Sequence, residues 1–213
     1  MSCRIVIFDF DGVIVESNAI KDEAFYELYL PYGEGAARRA LQIHLENPGA
    51  SRFEKFAIIH QELLGREISA QESSDLGMRF SSICFDAVCS CPMVEGAEEF
   101  LTRYYKRLIL ALASATPEEE LIAIVDTRGL APYFKHKCGK PRSKVESLIH
   151  ILNRESLTPA EAVFVGDQPS DREAAMMTGI SFVARVTHDR ERAQGPVSSN
   201  ITNIMQLVNF LAL

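Results

Sequence analysis

Residues 5–12 read Ile-Val-Ile-Phe-Asp-Phe-Asp-Gly, and the way this stretch ends decides the fold. Ile5 to Phe8 is a short β-branched and aromatic run with no polar alternation, the pattern of a strand buried on both faces. Asp9 stops it and Gly12 marks a turn, so Asp9 and Asp11 sit in a loop just past the strand's carboxyl end. Taken alone, Asp-x-Asp-Gly after a strand is more often a turn with satisfied side chains than a catalytic pair. Its meaning depends on what the rest of the chain brings to the same edge.

Outward from this strand, the pattern becomes helical between Ser17 and Cys91. Phe53, Phe56, Ala57, His60, Leu63 and Leu64 recur at helical spacing behind a Ser51-x-x-Glu54 capping box, and Gly65 closes that helix. A second box, Ser69-x-x-Glu72, opens another helix that ends at Cys91-Pro92. Past Pro92, helices and strands alternate: a helix over 98–106, a buried strand over 108–113, and a helix capped by Thr116 with Pro117 at its first position. Ser143-x-x-Glu146 starts the next helix, 162–165 is a buried strand, Ser170-x-x-Glu173 starts a helix, and 180–186 is a further strand. The stretch 187–200 reads as a polar surface loop, and 201–213 as a closing amphipathic helix. Strands alternating with helices at this spacing predict an α/β fold: a Rossmann-like, doubly wound parallel sheet formed by 1–16 and 92–213, with an α-helical insert over 17–91. Such sheets bind ligands at the carboxyl ends of their strands.

Composition sets outer limits. With 213 residues the chain can bury a full core; 47% hydrophobic and 24% charged residues exclude a disordered or fibrous class. The net charge of −7 argues against a general nucleic-acid binder, so an anionic ligand must be met by a local cationic pocket. The apolar run before Asp9 is too short for a signal-peptide core or a bilayer span, which implies a cytoplasmic protein without membrane partners. Five cysteines, with no CxxC pair, indicate neither a disulfide framework nor a zinc site. Oligomeric state is left at monomer or homodimer.

Three strand ends therefore bring Asp9 and Asp11, Ser114, and Asp167 to one edge, and Lys144 sits at the first position of a capped helix. Clustered carboxylates raise one another's pKa and are costly without a cation. Magnesium suits them, since it takes hard oxygen ligands and needs only one or two protein carboxylates beside a substrate phosphate. In such a site Asp9 can attack phosphorus, and Asp11 can protonate the leaving alkoxide and later deprotonate water. The Ser114 hydroxyl, the Ala115 amide and the Lys144 ammonium can neutralise the equatorial phosphoryl oxygens. Ser114 alone reads as a cap for the next helix, though Thr116 is better placed for that and frees Ser114 for the ligand, and Asp171 reads equally as a first-turn carboxylate favoured by the helix dipole.

These residues resemble the haloacid dehalogenase superfamily over nearly the whole chain. The resemblance is to its phosphatase branch with an inserted helical cap, the phosphoglycolate-phosphatase-like members. It rests on Asp9-Phe10-Asp11-Gly12-Val13, on Leu112-Ala113-Ser114-Ala115-Thr116, on a lysine before the last βα unit, and on Gly166-Asp167-Gln168-Pro169-Ser170-Asp171, in that order. It implies Asp9 as nucleophile and Asp11 as general acid/base. It also implies a magnesium ion held by the Asp9 carboxylate, the Asp11 backbone carbonyl and Asp167, with Asp171 in the ion's outer shell. The lysine is Lys144, fixed by the Ser143 cap, or its rival Lys140, which precedes Pro141.

The insert matches the family's substrate-selecting cap, and Arg38, Arg39, His44, Arg52 and Lys55 concentrate positive charge in it. Arg52 and Lys55, one turn apart, are the candidates to face an anionic group of the substrate. The implied activity is hydrolysis of a phosphomonoester of a small metabolite, such as a sugar or sugar-acid phosphate. A phosphomutase, or a homologue that has lost turnover, are the alternatives.

Overall fold

The computed structural model describes residues 3–187 and 199–211. The chain forms two compact units, Met1–Glu16 with Pro92–Leu213, and Ser17–Cys91. It enters through β1 (Ile5–Phe8) and then builds α1 (Asn18–Tyr29), α2 (Glu34–Glu46), α3 (Arg52–Leu64) and α4 (Ala70–Ser90). From Pro92 onward follow α5 (Ala97–Tyr104), β2 (Ile109–Pro117), α6 (Glu118–Thr127), β3 (His136–Lys140), α7 (Lys144–Glu155), β4 (Ala162–Gly166), α8 (Pro169–Thr178), β5 (Ser181–Arg185) and β6 (Asn200–Ile201).

The six strands form one parallel sheet in the order β3-β2-β1-β4-β5-β6. β1 lies inside it, with Phe8 level with Leu112 on one side and Val165 on the other. Its side chains alternate between faces, and both faces are covered. Ile5 and Ile7 join a core with Ala111, Leu148, Ile151, Phe164 and Ala175, which brings in α7 and α8. Phe8 points the other way and meets Phe100 of α5 edge-on, ring centroids 5.8 Å apart. Each such side chain, wholly removed from water, is worth about 1.5–3 kcal/mol.

The helical unit is built as its caps dictate. Ser51 Oγ accepts from Glu54 N, Glu54 Oε2 accepts from Ser51 N, and Gly65 ends α3 in the left-handed region at φ 63°. Ser69 and Glu72 form the same reciprocal pair at the start of α4. Phe25, Phe56 and Phe80 make its aromatic core. Phe53 lies at the unit's surface, 39% exposed, with its ring edge against Gly77, where a Cβ would come within 2.7 Å. Among the described residues no helix is long and apolar enough to cross a membrane.

Four expectations from the sequence are corrected. The polar strand β3 was not anticipated: it is an edge strand whose buried residues are only Cys138 and Gly139, so it carries no apolar run. β2 continues through Pro117 and α6 begins at Glu118, with three glutamates in the first turn where the helix dipole favours them. Thr116 therefore caps no helix. α8 begins at Pro169 rather than at a Ser170 cap, because Asp171 reaches back to accept from the amide of Gln168, 3.0 Å. The expected terminal helix is instead β6 followed by a 3-10 turn over Ile204–Asn209, started by Asn203 Oδ1 accepting from Met205 N and anchored by buried Ile201, Ile204 and Leu207. The expected loop over 187–200 falls mostly outside the described residues.

Candidate active site

The register of the sheet sets the site. Asp9 is the first residue past β1, and its amide donates to Val165 O at 2.8 Å, locking it between the ends of β2 and β4. Asp167 follows β4 directly, and Asp171 sits in the first turn of α8. Carboxylate oxygens of Asp9, Asp167 and Asp171 lie within 4.8 Å of one another, all three residues buried.

Lys144, first residue of α7, closes the group: Nζ donates to Asp9 Oδ2 at 2.8 Å and also to Asp171 Oδ1. The Ser143–Glu146 capping box fixes that position, with Ser143 Oγ accepting from Glu146 N at 3.2 Å. Lys140 stays at the end of β3, and its charge is felt at Glu146. Of the two candidate lysines, Lys144 is the one that reaches Asp9.

Each carboxylate is held from the backbone or a neighbour. Asp9 Oδ1 accepts from Phe10 N at 2.7 Å; Asp171 Oδ2 accepts from the amides of Asp167 and Gln168 at 3.2 and 3.0 Å; Gln168 Nε2 donates to Asp167 Oδ2 at 2.8 Å. Gly166 is required where α8 meets β4. A Cβ there would come 2.3 Å from Asp171 Cβ and 2.6 Å from its Oδ2.

Asp11 stands apart from the cluster. Its Oδ2 accepts from Thr116 Oγ1 at 3.1 Å, linking the β1 and β2 loops. Ser114, 1% exposed, accepts from Thr116 N at 3.1 Å. That bond uses a lone pair, so the Ser114 hydroxyl retains its hydrogen for donation. Ala115 lies between them in β2. Thr116 and Gln168 are thus site residues that motif reading passed over. Thr116 carried a helix-cap signal that β2 overrode, and nothing in the spacing assigned Gln168 a role.

The electrostatics follow from burial. Desolvation drives the Asp9 pKa up to about 8; Lys144 opposes this, while Asp171, Asp167 and Asp11 add to it. For Lys144, burial alone would lower the pKa, but Asp171 and Asp9 outweigh it and hold the ammonium firmly protonated. Three clustered carboxylates against one ammonium leave two negative charges in the cluster. An all-oxygen donor set with two uncompensated charges fits a hard divalent cation such as magnesium.

Within the helical unit, Arg52 and Lys55 are both buried, with partners of their own. Arg52 Nη1 donates to Ser81 Oγ at 2.7 Å, with the guanidinium 4.6 Å from the centre of the Phe80 ring. Lys55 Nζ lies 2.9 Å from His44 Nδ1, and His44 Nε2 lies 2.9 Å from Asp22. An ammonium only donates, so His44 accepts at Nδ1 and donates from Nε2 to Asp22. Arg38 pairs with Glu34, and Arg39 with Glu46 and Glu62, at the surface.

Residues 3–176 match the haloacid dehalogenase-like hydrolases. The chain belongs to that family. It is 27% identical over 190 residues to a phosphorylated carbohydrates phosphatase of Thermotoga maritima, covering 86% of this chain and 85% of that one. To a phosphoglycolate phosphatase of Pseudomonas fluorescens it is 25% identical over 219 residues, 96% of this chain and 78% of that one. Among solved structures, a haloacid dehalogenase-like hydrolase of Streptococcus pneumoniae superposes with a TM-score of 0.73 at 16% identity, covering 98% of both chains. The Bacillus subtilis HAD-hydrolase YfnB, solved bound to magnesium, superposes at 0.72 with 15% identity over the full length of both. These hydrolases share the fold of this chain.

Proposed function

We propose that this protein is a magnesium-dependent phosphomonoesterase that passes the phosphoryl group through Asp9. The observation that carries the reading is the buried cluster of Asp9, Asp167 and Asp171, with Lys144 bridging Asp9 and Asp171 at the carboxyl end of the sheet. Asp9, Asp167 and the backbone carbonyl of Asp11 would hold the ion, and Asp171 would steady Lys144 and the 167–168 loop. Magnesium would supply charge neutralisation for the carboxylates and the incoming phosphate.

Asp9 attacks phosphorus, the bond to the ester oxygen breaks, and Asp11 delivers a proton to the departing alkoxide. Water then attacks the aspartyl phosphate; Asp11 takes its proton, the Asp9–phosphorus bond breaks, and inorganic phosphate leaves. Ser114 Oγ, the Ala115 amide and Lys144 Nζ donate to the phosphoryl oxygens as charge builds. Thr116 holds Asp11 by its Oδ2.

The substrate class is a small phosphorylated sugar or sugar acid, a reading supported by the names of the curated relatives. The 17–91 unit would act as the cap that selects it. Arg52 and Lys55 would serve there by shaping the unit's charge from inside, since their head groups already bond to Ser81 and His44. A phosphate-release assay with magnesium over a panel of sugar and sugar-acid phosphates tests the reading. Asp9→Asn is expected to abolish release on every ester the protein hydrolyses, and near-normal turnover by that variant would overturn the assignment of the nucleophile.

A further inference from the structure

Far from the motif residues in sequence, Arg185 ends β5 almost completely buried, at 7% exposure. Its Nη1 donates to Gly12 O at 3.1 Å and to Glu16 Oε2 at 3.2 Å, and its Nη2 donates to Glu16 Oε1 at 2.5 Å. The guanidinium fork thus grips both ends of the turn that leaves the catalytic loop.

That turn is tight and self-contained. Gly12 has φ 72°, its amide donates to Val15 O at 2.8 Å, and the amides of Ile14 and Val15 donate back to Phe10 O at 2.9 and 3.2 Å. Glu16 donates its own amide to Pro92 O at 3.0 Å, where the chain returns to the sheet. Asp11 is the residue immediately before Gly12, so its carboxylate is placed by this turn on one side and by Thr116 on the other.

We propose that Arg185 is a positioning residue for Asp11, bracing the Gly12–Glu16 turn from the neighbouring end of the sheet; the proposal rests on the phosphatase reading above. It acts through Gly12 and touches neither substrate nor metal. The burial is uneven, with the Arg185 side chain 8% exposed and Glu16 40%.

The test is steady-state turnover of p-nitrophenyl phosphate with magnesium chloride, together with amide hydrogen exchange, on Arg185→Met and Glu16→Gln. Arg185→Met is expected to lower kcat by about tenfold or more with KM within about threefold, because a displacement of order 1 Å at a reacting group is costly. Exchange at the Ile14 and Val15 amides should rise by about tenfold or more while the amides of β4 stay protected, the mark of local rather than global opening. Glu16→Gln keeps the Gly12 bond and should show the same pattern at smaller amplitude; it decides the matter should Arg185→Met not fold. Unchanged kcat in a folded variant, or exchange that rises equally across the sheet, overturns the proposal. If the unaltered protein itself releases no phosphate, the phosphatase reading fails, and the exchange readout alone then decides the bracing of the turn.

Discussion

Gly166→Ala is a one-carbon change whose consequence can be worked out from distances. The added Cβ would lie 2.3 Å from Asp171 Cβ, whereas ordinary contact begins at 3.4 Å, so something must give by about 1.1 Å. β4 is pinned between β1 and β5, so the movable partner is Asp171 at the start of α8. Asp171 moving by that amount loses its bonds to the Asp167 and Gln168 amides and its ion pair with Lys144. Lys144 is then left with Asp9 as the partner it keeps in the cluster, and the geometry between Asp9 and the lysine shifts. Overpacking of this kind costs about 1–3 kcal/mol of stability. The catalytic loss should be larger, about 100-fold in kcat, since misplacement by roughly 1 Å costs that much. Phosphate release with saturating magnesium and a thermal melt on the same preparation separate the two effects. A folded Gly166→Ala protein with kcat within about threefold of the parent would refute the reasoning that Asp171 is held in place for catalysis.

Lys144→Ala should reduce turnover far more than Lys140→Ala, by about 100-fold against less than threefold, as measured by kcat; the reverse order would return the role to Lys140. His60 supplies a pH test. It is 1% exposed, neither ring nitrogen has a hydrogen-bond partner among the described residues, and burial lowers its pKa from the usual 6.5. The folded state then binds fewer protons than the unfolded one, so stability falls as pH drops below about 6.5. His60→Phe should raise the melting temperature more at pH 5.5 than at pH 8, and an equal shift at both would show that His60 does not titrate on unfolding.

The elements most legible in the sequence are those whose local signals agree with their tertiary setting. β1 shows as an unbroken apolar run because both its faces are covered, and α3, α4 and α7 show because serine and glutamate cap them in the observed register. β3 was silent because an edge strand needs few apolar residues. At the start of α6, the capping pattern at Thr116 was real in sequence but lost to continued pairing of β2 and to the bond with Asp11. In the site, spacing located Asp9, Asp11, Asp167, Asp171 and Lys144 at strand ends and helix starts. It could not supply the bridge from Lys144 to Asp171, which joins Asp171 to the clustered carboxylates. Nor could it pair Arg185 with Glu16, since no local pattern relates residues so far apart.

The interior position of β1 also bears on how the molecule is made. Ile5 pairs with Ile109 on one side and Ala162 on the other, so β1 must wait for partners that emerge much later. At ribosomal rates of about 5–20 residues per second, roughly 5–20 s pass before β2 is complete. During that interval the apolar strand Ile5 to Phe8 has no neighbour to pair with, while the contiguous 17–91 segment can already be gathering its helices. Long-range parallel pairing is slow for the same reason, loop closure being spent before contacts repay it. The strand that leads into Asp9 is thus made long before its partners, and its exposure on the nascent chain is the stage at which aggregation would compete with folding.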